Sequence, residues 1–183
     1  MKTIICIIGT IGSGKDTAGE YISRKLDVPV FQISQVIKDF AKEKGIEPTR
    51  ENLIKIGSNL VKENGAGFFV KVLVDKTPEE LIIITGARRI GVVEYMRKNH
   101  NLILLAINAS PEIRFQRSTV RNKLGEAKTL AEFVENEQKE NSSPNTERLF
   151  ECIKLADYTI DNNSDVETFY KKIDEFLKLK KFI

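Results

Sequence analysis

Histidine and cysteine are scarce in this chain, with one histidine, His100, and two cysteines, Cys6 and Cys152, among 183 residues. A single histidine gives no Cys/His cluster for zinc. Nor does it allow a Ser–His–Asp triad, because His100 reads as a loop residue ahead of a strand. Two cysteines so far apart do not make a disulfide scaffold, and a cytoplasmic setting is the default. Cys6 lies inside an apolar run and reads as a small core residue. No apolar run approaches the ~20 residues of a membrane helix. The N-terminus lacks the charged, apolar and small-residue regions of a signal peptide, so no membrane partner is expected. Charge of one sign is missing too. The 29 basic and 26 acidic residues leave a net +3, too balanced to argue for nucleic acid. The phenylalanines are scattered at core-like spacing rather than gathered as a base-stacking platform. The basic end "KLKLKKFI" reads as the solvated face of a last helix.

What is present is an alternation. Apolar segments at 3–8, 30–33, 80–85, 102–108 and 157–161 read as strands, continuous and often β-branched. Between them lie helical stretches at 15–26, 35–44, 49–64, 68–76 and 91–99. Others follow Ser110-Pro111-Glu112, cover 130–140 and 147–156, and run from 164 to the end. Ser34 and Thr49 read as helix caps, and Gly45, Gly65 and Gly67 as stops. Thr129–Glu132 and Ser164–Glu167 read as capping boxes. Strands apolar on both faces, alternating with helices, predict a parallel sheet covered on both sides. The expectation is one domain over residues 1–183. Its fold class is α/β, a three-layer α/β/α sandwich with a five-stranded parallel sheet.

The chemistry concentrates in "IICIIGTIGSGKDTAGEYI". Gly9-Thr10-Ile11-Gly12-Ser13-Gly14-Lys15 has the G-x-x-x-x-G-K spacing of a phosphate-binding loop between a strand and a helix. Glycines bring the backbone close to a ligand. Successive amides converge on one anion, the helix start adds its positive dipole end, and Lys15 adds a full charge near the β- and γ-phosphates. Asp16 stands where such loops usually have a hydroxyl. A carboxylate beside phosphates repels them unless a cation lies between, so Asp16 is expected to bind Mg²⁺ as a hard oxygen ligand. Thr17 keeps a hydroxyl and an amide for the α-phosphate.

"GSGKDT" resembles the glycine loop of P-loop kinases that act on nucleoside monophosphates and similar small molecules. "TGARRIGVVEYMRK" and "NASPEIRFQRSTVR" are similar to segments of adenylate-kinase-related, dephospho-CoA kinase-like archaeal proteins, and "CIKLADYTIDNN" continues the match. The similarity covers nearly the whole chain. It implies ATP and Mg²⁺ as cofactors and a small-molecule phosphate acceptor as partner, with no nucleic acid. Arg88, after the third strand, corresponds to the arginine that holds the acceptor phosphate. Arg114, Arg117 and Arg121 share one helical face. The resemblance gives Arg117 and Arg121 to transition-state charge and Arg114 to substrate, beside a short lid at about 122–128. Lys38 and Arg50 match acceptor-side positions.

Two departures bear on the acceptor. Thr85 stands where related kinases often carry an aspartate before the glycine. The segment after the second strand, "ISQVI", has no carboxylate to act as a base toward a hydroxyl, although Asp39 lies one turn further on. A phosphate acceptor needs no base, which favours a nucleoside or deoxynucleoside monophosphate. Dephospho-CoA remains the alternative acceptor, and a slowly hydrolysing NTP-binding regulatory module the alternative of another class.

Overall fold

The computed structural model describes residues 1–120, 127–142 and 148–183, with Arg50, Glu140 and Ser142 described in their backbone alone. Among the described residues, five strands form one parallel sheet: β1 (Thr3–Ile8), β2 (Val30–Gln32), β3 (Leu81–Thr85), β4 (Asn101–Asn108) and β5 (Tyr158–Asp161). Their order is β2-β3-β1-β4-β5. The helices are α1 (Lys15–Leu26), α2 (Ile33–Glu43), α3 (Arg50–Asn64), α4 (Phe68–Asp75), α5 (Ile90–Asn99), α6 (Pro111–Val120), α7 (Leu130–Ser142), α8 (Leu149–Lys154) and α9 (Val166–Leu179).

The alternation along β1 explains its composition. Ile4, Cys6 and Ile8 enter one core with Ile82, Ile84 and Leu104, packed by Val36 of α2, Leu60 of α3, Val70 of α4, Val93 of α5 and Cys152 of α8. Ile5 and Ile7 enter the opposite core with Ile83, Leu105 and Ile107, closed by Ile22 of α1 and by Phe169, Ile173 and Phe176 of α9. A strand covered on both sides has no polar face to show, and each fully buried isoleucine contributes roughly 2 kcal/mol relative to exposure. Both cysteines are buried and free. Burial, with Cys152 adding to it, pushes the Cys6 thiol far above its ordinary range, so it packs as a small apolar side chain.

The helix starts correct three details of the sequence reading. α2 begins at Ile33 after Gln32, so Ser34 is not its cap. Ile33 is claimed by the core while Ser34 is exposed. α9 is capped by Asp165, which accepts from the Thr168 amide at 2.8 Å, rather than by Ser164. At α7, Thr129 accepts from the Glu132 amide at 3.2 Å, but Glu132 reaches back to the Lys128 amide at 2.8 Å rather than to Thr129. Thr49 caps α3 as expected, accepting from the Asn52 amide at 3.2 Å.

β1 is the central strand. The chain leaves it toward β2 on one side, and later crosses from β3 to β4 on the other. The carboxyl end of β1 is therefore the switch point of the sheet, where open α/β folds bind ligands.

Candidate nucleotide-binding site

The Gly9–Lys15 loop springs from that end of β1, and its glycines are fixed by what crowds them. A Cβ on Gly9 would lie 2.5 Å from the Ile107 carbonyl oxygen of β4. Gly12 (φ +78°) leaves 2.5 Å to the Arg114 carbonyl oxygen, and Gly14 (φ +99°) leaves 2.4 Å to Asn162 Nδ2. Only glycine combines that backbone with that proximity. No side chain caps α1 at Gly14, and the first-turn amides of such a helix are ready partners for an anion. Lys15 lies in the same turn, its Nζ 2.8 Å from Asp16 Oδ2.

Beside the loop is a cavity of about 480 Å³, between α6 and the start of α9. Gly12, Gly14 and Thr17 form its loop side. Arg117 and Asn162 supply polar groups, and Val120, Val166 and Phe169 supply apolar surface. The volume lies in the range of small-molecule sites, and an apolar wall with a few placed polar groups is their usual composition. Arg117 donates to the Gly12 carbonyl at 3.4 Å and to Asn162 Oδ1 at 3.3 Å.

The expected stripe of three arginines divides. Arg117 lines the cavity. Arg114 stands among the expected substrate-binding residues, but the structure turns it inward. It is 4% exposed, bonded to the Ile11 carbonyl at 3.4 Å and the Ala109 carbonyl at 3.0 Å, and paired through both Nη atoms with the Glu137 carboxylate. Arg121 and the lid positions 122–126 lie outside the described residues. Arg88 is half-buried just past β3, and its neighbour Arg89 donates to Ser58 Oγ of α3 at 2.8 Å. Lys38 is exposed on α2. Arg50 opens α3, with its side chain outside the description.

Asn162 escaped the sequence reading. It is 5% exposed, receives a bond from Arg117, and donates from Nδ2 to the Ser13 carbonyl at 2.8 Å. It braces the loop from the end of β5. The local signal was "DNN" after a strand, which by itself reads as an ordinary turn. Glu137 and Ser58 were missed for the same reason, since their partners are 23 and 31 residues away.

Among the described residues, no group of three or more His, Cys, Asp and Glu side chains could hold a metal ion. What is present, the single Asp16 carboxylate at the loop, suits a cation held mainly by phosphate oxygens. That is the usual manner of Mg²⁺ at nucleotides.

The model of the AAA domain matches residues 5–142. A UPF0200 protein of Pyrococcus horikoshii is 30% identical over 180 residues, 94% of either chain. The chain belongs to the AAA-domain family and to the UPF0200 family. A UPF0200/UPF0201 protein of Archaeoglobus fulgidus is 31% identical over 181 residues, and this family member spans 95% of its own length but 54% of that relative. The shikimate kinase of Bacteroides thetaiotaomicron superposes with a TM-score of 0.63 over 98% of both chains, at 18% identity. That likeness shows the fold, which is that of the P-loop kinases. No helix among the described residues is long and apolar enough to cross a membrane.

Proposed function

We propose that this family member is a kinase that moves the γ-phosphoryl group of ATP to a nucleoside or deoxynucleoside monophosphate. One observation carries the reading: a strand-to-helix loop of obligatory glycines and a largely apolar cavity share Gly12, Gly14 and Thr17. The loop suits a polyphosphate tail, and the cavity beside it suits the nucleoside that bears the tail.

Phosphoryl transfer needs positioning and neutralisation of charge more than covalent chemistry. Loop amides and Lys15 hold the donor phosphates. Arg117 brings a cation to the cavity beside the loop. Mg²⁺, when bound, would be held by Asp16 together with phosphate oxygens and would supply charge neutralisation, while Thr17 serves the α-phosphate. On the acceptor side, Arg88 at the end of β3 receives the acceptor phosphate, one of whose ionised oxygens attacks the γ-phosphorus as ADP leaves. After β2 the chain enters α2 through Ile33, Ser34 and Gln35, without a carboxylate. The nearby Asp39 carboxylate accepts from Gln35 Nε2 at 2.7 Å. A nucleophile already ionised needs no base, so the reading does not call on Asp39. The reading places the enzyme in the cytoplasm, where ATP and its acceptors are found.

The test is a product-resolved kinase screen of the nucleoside and deoxynucleoside monophosphates plus dephospho-CoA, with Lys15→Ala as blank. Transfer to a monophosphate is the expected result. Transfer to dephospho-CoA alone reassigns the acceptor to a hydroxyl. Binding of ATP with slow hydrolysis and no transfer makes the protein a regulatory module.

A further inference from the structure

We infer that Glu137, on α7, is a positioning residue for nucleotide binding, acting on the glycine loop through Arg114. The inference rests on the reading of that loop as the phosphate site. Four contacts build it. The Arg114 Nη2 meets Glu137 Oε2 at 2.8 Å, and Nη1 meets the other carboxylate oxygen. The same Nη1 donates to the Ile11 carbonyl of the loop at 3.4 Å, and Nε donates to the Ala109 carbonyl at 3.0 Å. The main chain of Arg114 also packs on Gly12, where a Cβ would come within 2.5 Å of its carbonyl oxygen. Phe133, one turn before Glu137 on α7, lies under the guanidinium with its ring centre 5.4 Å from Cζ.

Each contact has a consequence for the loop. A carbonyl that points to Arg114 points away from the space where phosphate oxygens sit, so Ile11 presents no negative dipole there. A guanidinium with three acceptors in fixed positions has little freedom. Glu137 supplies the only charge that balances it among the contacts shown, in a place where Arg114 is 4% exposed. Without the carboxylate the buried cation must find other acceptors or turn toward water, and either move disturbs the Ile11 carbonyl. The same α6 helix carries Arg117, which holds the Gly12 carbonyl and lines the cavity. Glu137 thus sets the loop and α6 together from a helix that follows them in sequence.

The experiment is calorimetric titration of the full chain with ATP in Mg²⁺ buffer, with the melting temperature of each nucleotide-free variant measured alongside. Glu137→Gln is expected to weaken ATP binding by roughly tenfold or more, as misplacement of a supporting group does. Glu137→Asp is expected to recover part of that loss. The exposed pair Glu135–Lys139 lies on the same helix, and Glu135→Gln is expected to bind ATP as the wild type does. The decisive variant is the double substitution Arg114→Met with Glu137→Met, which leaves no unpaired charge. If Glu137 positions the loop, the double variant regains its melting temperature but still binds ATP weakly, because the Ile11 carbonyl has lost its donor. Should the double variant recover wild-type affinity, or Glu137→Gln never lose it, the inference is overturned and the donor site stands. A wild-type chain that binds no nucleotide overturns both.

Discussion

Around the Gly9–Thr17 loop, three polar contacts join groups distant in sequence: Ser13 with Asn162, Ile11 with Arg114, Gly12 with Arg117. Loop carbonyls accept every one of them, and the loop's glycines have no room for a side chain. On the acceptor side, between β3 and the helices α2 and α3, Lys38 and Asp39 are exposed and Arg88 is half-buried, while Arg89 reaches Ser58 through a long side chain. In the proposed reading the donor side leans on backbone, with Lys15 and Arg117 beside it, and the acceptor side on side chains alone. Backbone fixed by packing binds what does not vary, a polyphosphate. Side chains on separate helices can be exchanged one at a time without disturbing the sheet. Under that reading, such an arrangement keeps the donor fixed while the acceptor can change.

The largest effect expected from breaking the comparison is at Lys15. Lys15→Ala should lower phosphoryl transfer by roughly 10²–10³, the usual loss for one electrostatic stabiliser of the transition state, read as product formed per enzyme. Next comes the backbone itself. Gly14→Ala meets both a left-handed backbone and Asn162 Nδ2 at 2.4 Å. It should cost about 1–3 kcal/mol in chemical denaturation and abolish ATP binding. Gly45→Ala is the matched control. Its φ is +66° with nothing within 4 Å, so it should cost about 1 kcal/mol and leave ATP binding intact. Equal effects from the two alanines would show that crowding at Gly14 does not matter to the site.

A smaller and more selective effect is expected at Arg88. Arg88→Ala should raise the acceptor KM by roughly tenfold with ATP affinity unchanged, since it removes a contact to one substrate only. Parallel loss of ATP affinity would erase the separation between the two sides.

The smallest effect lies outside the site. Hydrogen bonds from the Thr168 amide and hydroxyl hold the Asp165 carboxyl below its ordinary range. A carboxylate depressed by folding contributes stability above its unfolded value and loses it as pH falls through the folded one. The melting-temperature gap between wild type and Asp165→Ala should therefore be widest at neutral pH and close in acid below the ordinary aspartate range. A gap unchanged across that titration would mean that the cap does not act through its charge.

Legibility in the sequence followed the range of the interaction. The strands, the loop and the Thr49 cap were readable because each depends on neighbours within a few residues, and the alternation of apolar strands with helices implied the parallel sheet. Ser34 and Ser164 looked like caps by composition, yet the chain starts those helices at Ile33 and after Asp165, where core packing and a stronger carboxylate acceptor decide. Arg114 was readable as a cation on a helix but not as a buried one, because its partner stands on another helix. Asn162 and Glu137 lie in segments that carry the family resemblance, but their bracing roles were hidden for the same reason. No spacing along the chain connects residue 13 to residue 162, or residue 114 to residue 137; the sheet order brings the first pair together and the packing of α7 on α6 the second.

The measurement closest to the central claim is a calorimetric titration of the wild-type chain with ATP in Mg²⁺ buffer, repeated with Gly14→Ala. The account predicts saturable one-site binding to the wild type and none to the variant. Heat absent from the wild type, or undiminished in Gly14→Ala, would contradict it.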